Sequence, residues 1–278
     1  MRITTASVLA ASLIAWAAPS LCGDPAPASA SAWRLPQGLT VKDNGSRTYR
    51  MLVDYKTADR KGELVHRQQV TGEYTRGLPG GESAWKNVTV AEAAVAESPL
   101  PAPQKREFME GFRYRNDLAA TMRPDFFKAF PPTAVVERNL VWDTGMIETF
   151  GQDHFDHLHL NDPYHAGASQ DVSMPAVGTF HLRDVVLEWV GRSLRNGQEC
   201  AVIKYQAFFN PVEIANGGMM LKGRSDFWGD IWVSLSTKQI EYGTLYEVVV
   251  GELTLPGQDA PQVINVFRSA TLEPVDAR

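Results

Sequence analysis

Three histidines crowd one short stretch, Asp153-His154-Phe155-Asp156-His157-Leu158-His159, with Asp162 and a fourth histidine, His165, just beyond it. Imidazole and carboxylate are the ligands that zinc and iron take, and three of them leave a coordination position for an activated water. His154, His157, His159 and His165 are therefore the candidate metal ligands, with zinc the metal to test. The spacing argues against a ready-made centre. On a strand, His157 and His159 share a face while His154 points the other way; on a helix, His154 joins His157 and loses His159. Neither H-E-x-x-H nor H-x-H-x-D-H occurs, so the usual zinc-hydrolase spellings are missing. The competing reading is a polar loop whose histidines bond to neighbouring aspartates.

A second set lies further along, in Asp226, Trp228, Asp230, Trp232 and Glu247. Tryptophan platforms beside carboxylates bind sugars and other amphipathic ligands, and a carboxylate pair across a cleft can run glycoside hydrolysis. The plainer account of two tryptophans is packing under a second layer. No nucleophile is signalled. Ser193 and Ser225 each follow Gly-Arg but lack the second glycine of a nucleophile elbow, and no phosphate-binding loop is spelled. No catalytic residue is assigned.

The elements that must position these residues read mainly as strands. Tyr49, Met51, Val53 and Tyr55 alternate, and Leu64 to Tyr74 and Trp85 to Val90 follow after turn-forming clusters, giving a three-stranded meander. Pro99, Pro101 and Pro103 make 98–104 an extended linker. Lys105 to Leu118 is the best helix candidate and Asp125 to Phe130 a shorter one, so 105–130 is predicted as a small helical insert. Val135 to Phe150 fits neither period cleanly. Strands resume at Gly178, with Asn196-Gly197 as a hairpin turn.

If Ser236 to Gln239 is a four-residue loop, Val233 pairs with Tyr242 and Ile231 with Thr244 on an apolar face. Trp228 then pairs with Glu247 and Trp232 covers Gly243 on the other. That register makes Val233→Asp strongly destabilising and Ser234→Asp nearly harmless by comparison. Ile240 to Leu255 runs 16 residues without a turn signal, about 54 Å at roughly 3.4 Å per residue. Strands of that length belong to strongly curved sheets. The expected fold is mainly β: one large curved antiparallel sheet, half-barrel or barrel-like, in a single domain over 47–275. In architecture it resembles the half-barrels of periplasmic lipoprotein carriers and other envelope lipid-binding proteins, and the resemblance implies an apolar or amphipathic ligand.

Arg2 followed by the apolar run Ala6 to Ala18 and then small residues reads as a secretory signal over 1–22, the cut falling as late as 32. The apolar run is too short to span a bilayer. Residues 23–46 form a flexible leader. Cys22 allows lipid anchoring as the lesser alternative; an exported protein, periplasmic or extracellular, is the expectation. After cleavage Cys200 is the remaining thiol, a small buried hydrophobe without a disulfide partner. With 27 basic against 32 acidic residues and net charge −5, no basic tract suits nucleic acid. No later segment reads as a transmembrane helix. The functional expectation is a non-enzymatic envelope protein binding an apolar or amphipathic ligand. A metal-dependent hydrolase on the histidine cluster and an interaction module without a small ligand are the rivals.

Overall fold

The computed structural model describes residues 34–41, 46–93, 98–123, 125–167, 169–174, 178–216, 218–257 and 260–275. The expected signal segment with Cys22, and the leader as far as Trp33, lie outside them.

Alternation decides the first three strands. β1 (Arg47–Asp59), β2 (Leu64–Leu78) and β3 (Glu82–Ala93) form the expected meander. They bury Tyr49, Met51 and Val53 of β1, Val70 and Tyr74 of β2, and Trp85, Val88 and Val90 of β3 on one face. The β1–β2 turn is held by the Asp59 carboxylate, which accepts from the Lys61 and Glu63 amides at 2.8 and 3.0 Å.

The helical insert expected over 105–130 is corrected. β4 (Gln104–Lys105) and β5 (Phe112–Arg115) both pair with β3, separated by a single 3-10 turn at Glu107–Met109. Gly111, at φ +72°, turns the chain out of any helix. Its amide donates to Trp85 O at 2.9 Å, and that of Arg106 to Val88 O at 2.8 Å. The backbone thus finds its partners on β3 rather than along its own axis. α1 (Leu118–Thr121) is one turn, capped by Asp117 accepting from the Ala120 amide, and 125–130 is a run of turns.

The long helix is α2 (Val135–Glu148), extended by a π-helical stretch at Thr149–Asp153. It is buried on nearly all sides, which explains its unclear period: a helix with no solvent side has no polar stripe. Leu140, Val141, Trp142 and Ile147 are buried along it. Two glycines let it approach the sheet. A Cβ on Gly151 would stand 3.0 Å from Ile231 Cγ2, and one on Gly243 would stand 3.0 Å from Ile147 Cγ2.

Beyond the helix come β6 (Tyr164–Gly167), β7 (Gln170–Met174), β8 (Gly178–Leu182), β9 (Val185–Arg195), β10 (Gln198–Asn216), β11 (Met219–Ser234), β12 (Ile240–Thr254) and β13 (Gln262–Pro274). All pair antiparallel in one open, curved sheet of order β4-β3-β2-β1-β13-β12-β11-β10-β8-β7. β10 is long enough to pair β9 through its first half and β8 through its second, and β6 continues outward from β9. The β9–β10 hairpin turns on Asn196 and Gly197, both at positive φ, as a two-residue primed turn requires. The inner face, covered by α2, carries the core; the outer face has no helix over it among the described residues. No described helix is long and apolar enough to cross a membrane.

The β11–β12 register differs from expectation by two residues at Val233 and by one from Trp232 onward. Val233 pairs with Ile240 but Trp232 with Tyr242, so Glu241 is an extra residue, a β-bulge. Below it Trp228 lies opposite Tyr246, Phe227 opposite Glu247, and Gly243 opposite Ile231 rather than Trp232. Both Val233 and Ser234 are buried. The Ser234 hydroxyl accepts from the Ser236 and Thr237 amides, and because the position is fully buried, an added carboxylate charge makes aspartate at 234 no harmless change. Glu241 points inward and holds Arg47 through two contacts at 2.9 and 2.7 Å.

Candidate ligand-binding surface

A second bulge shapes the outer face. β10 pairs Ala207 with Phe227 and Asn210 with Ser225, leaving Phe208 and Phe209 opposite Asp226 alone. Phe209 sits at φ +63°, a conformation that bulky L-residues avoid, and is 66% exposed. Its amide donates to Asp226 Oδ1 at 2.6 Å. The same carboxylate pairs with Arg224 at 2.9 Å, whose guanidinium lies 5.0 Å from the Phe209 ring centre. Buried Asn210 fastens the bulge from beneath. Its amide group donates to Ala207 O and Ser225 O at 3.0 and 3.1 Å, and its oxygen accepts from the Arg183 amide at 2.9 Å. The strand is thus fixed while two aromatic side chains are turned outward.

From the bulge an aromatic ladder crosses the sheet. Phe208 lies 6.3 Å from Trp228, which stacks on Tyr246 at 6.0 Å. One row along, Val248 faces Phe267 of β13, and both Tyr246 and Phe267 are exposed. Trp232 and Tyr242 form a further pair at 5.4 Å, with the Arg195 guanidinium 3.9 Å from the Tyr242 ring centre. Of the residues named from sequence, Asp226, Trp228, Asp230 and Trp232 share this outer face, Asp230 with Lys204 3.8 Å away. Glu247 does not join them. The bulge at Glu241 places it on the inner face, where it pairs with Arg268 at 2.8 Å and accepts from the Ser225 hydroxyl at 2.5 Å.

Beside the bulge an open cleft of about 560 Å³ is lined by Arg183, Asp184, Val186, Gln206, Phe208 and Phe209. A neighbouring cleft of about 610 Å³ lies against Asp171, His181, Leu182 and Pro211 and shares Arg183. Both are within the size of small-ligand sites.

The sequence-predicted histidines are held apart. His154 and His157 both pack on Tyr164, at 5.5 Å each, the His157 ring nearly parallel to it. Burial lowers the His154 pKa; Asp153 opposes that shift and His157 adds to it. His159 lies in a bridge with Asp162, and His165 Nδ1 bonds to Asp184. Among the described residues no three His, Cys, Asp or Glu side chains form a group that could hold a metal ion.

The sequence reading missed a charged interior. α2 carries Glu137, Asp143 and Glu148 into the core, where they meet Arg106 at 2.7 Å, Arg268 at 3.0 Å and Arg76 at 3.1 Å. Glu148 also accepts from Tyr74 and Asn116, and Gln152 accepts from Arg76 at 2.8 Å. Burial raises the Asp143 pKa to about 7 despite Arg268, with Glu247 adding to the rise. A signal for part of this was present: Arg268 has the strand parity of buried Ala270 and Leu272, and Glu247 that of Leu245.

No family model and no curated protein matches the chain. A solved DUF1329 family protein from Desulfovibrio piger is similar over 84% of this chain and 88% of that one, at 8% identity and a TM-score of 0.14. A likeness that slight carries no argument about fold or activity.

Proposed function

We propose that this is an exported, non-enzymatic envelope protein that binds an amphipathic ligand on its outer face, around Phe208, Phe209 and Trp228. The observation that carries the reading is Phe209: a large apolar side chain kept 66% exposed in an unfavourable backbone conformation. Strain of that kind persists where the surroundings enforce it, and it gathers at ligand clamps and active sites. The contiguous rings of Phe208, Trp228 and Tyr246 support it, because exposed aromatic ladders give area for an apolar body. Export rests on the N-terminal sequence pattern. It is tested by intact mass of protein recovered from a secreting host, where a retained Met1 in the exported fraction would end it.

Binding is tested with the neutral dye Nile red. Fluorescence should rise and saturate with the wild type, and Phe208→Ser/Phe209→Ser should weaken binding by roughly 1–3 kcal/mol, the scale of one buried aromatic side chain. Both positions are exposed, so circular dichroism should be unaltered. Equal dye affinity in the double variant would remove the surface from consideration.

A further inference from the structure

The cleft beside the Phe208–Phe209 bulge has one cation in its lining. Arg183 lines both this cleft and its neighbour. The acids that line the two clefts are engaged with histidines: Asp184 with His165, and Asp171 with His181 Nδ1 at 2.6 Å. Among the described residues the Arg183 guanidinium makes no ion pair, whereas three basic side chains of β10 and β11 are compensated: Arg224 by Asp226, Lys222 by Glu213 and Lys204 by Asp230. Arg183 is also placed rather than loose at its base. Its amide is the third group held by the Asn210 side chain, so the hydrogen bonds that set the bulge also set the position of the arginine.

We propose that the cleft takes the anionic head of a single-chain amphiphile on Arg183, with the chain lying along Phe208 and Phe209. The proposal rests on the outer-face reading and specifies its ligand. Charge complementarity selects the class. A guanidinium that lines a cleft with Val186, Phe208 and Phe209 and makes no ion pair is left without an anion by a neutral ligand and satisfied by a carboxylate, sulfate or phosphate oxygen. A neutral amphiphile would use the aromatic surface and leave Arg183 idle.

The test compares dodecanoate with dodecyl maltoside, equal in chain length, below their micellar concentrations by isothermal calorimetry. The wild type should bind dodecanoate about tenfold more tightly, a difference of about 1.4 kcal/mol. Arg183→Gln, which keeps the backbone amide that Asn210 holds, should abolish that preference and leave dodecyl maltoside binding unchanged. Asp184→Asn should not reduce dodecanoate affinity. Equal wild-type affinities, or a preference surviving in Arg183→Gln, would overturn the head-group assignment while the aromatic surface stands. Binding of neither amphiphile would overturn the surface and the assignment together. Dodecyl sulfate and dodecyl phosphate, run in parallel, separate head-group geometry from charge.

Discussion

Asp143 and Arg268 meet at 3.0 Å inside the sheet, joining α2 to the last strand of the chain's fold. Glu247 holds the other side of the same guanidinium at 2.8 Å, and Tyr55 and Tyr205 stand close enough to feel the charge. Two buried carboxylates thus share one arginine, and the environment keeps a proton on Asp143 well above the range where a carboxyl would ordinarily lose it.

Stability should therefore fall as pH rises through this site. Asp143 titrates near 7 in the folded chain against about 3.9 when unfolded. Between those values the folded state holds more protons than the unfolded one. The contribution is intact below about pH 4 and is lost progressively up to about pH 7, on the order of 4 kcal/mol. Denaturant midpoints from pH 4 to 8 should show wild type losing ground against Asp143→Asn across that window. Parallel profiles would refute the assignment.

Phe209→Gly should raise stability while weakening ligand binding. Glycine adopts positive φ without the steric penalty a phenylalanine bears, so a gain of up to about 1 kcal/mol is expected. The ring is mostly exposed and little packing is lost. Phe209→Ala, which keeps the strain and removes the ring, should show the loss of binding without the gain. A lower melting temperature for the glycine variant would mean that the bulge depends on the ring.

Ile147→Ala tests whether α2 is core. Ile147 is fully buried against Gly243, so truncation should cost about 2–5 kcal/mol. Leu194→Ala, at a 75% exposed position, should stay within about 0.5 kcal/mol. If urea unfolding gave comparable midpoints for the two variants, the helix would be a peripheral element.

Cys200 should resist alkylation in the folded chain. It is buried, and burial, with Glu241 adding to it, pushes the thiol pKa up to about 12. Since the thiolate is the reactive form, iodoacetamide at pH 8 should modify the Cys200 peptide only after denaturation. Rapid native labelling, read by peptide mass, would contradict the burial.

What the sequence disclosed follows from which local signals survive packing. Tyr49, Met51, Val53 and Tyr55 alternate because one side of β1 meets the core, and Asn196-Gly197 announces its turn because few other pairs tolerate two positive φ angles. α2 was illegible for a physical reason: with Glu137, Asp143 and Glu148 all buried, its charges mark interior partners rather than solvent. The bulge at Glu241 was hidden because inserting one residue leaves alternation locally intact on both sides, so the slip moved Glu247 across the sheet unnoticed. On the outer face, the adjacent pair Phe208-Phe209 breaks the alternation of β10, and that break is the trace the bulge leaves in sequence.

Tyr49 of β1 lies opposite Pro274 of β13, so the seam between the first and last strands runs through the middle of the sheet. During synthesis β1 emerges roughly two hundred residues before its neighbour β13. For most of that interval the meander presents β1 as an open hydrogen-bonding edge, with Met51 and Val53 lacking the inner-face neighbours Leu272 and Ala270. The nascent chain cannot complete its sheet in the order in which it is made. The same adjacency makes the sheet tolerant of a relocated starting point: β1 to β13 permuted by a join across the seam and opened at Asn196-Gly197 would retain every strand pair and lose only the covalent turn between β9 and β10.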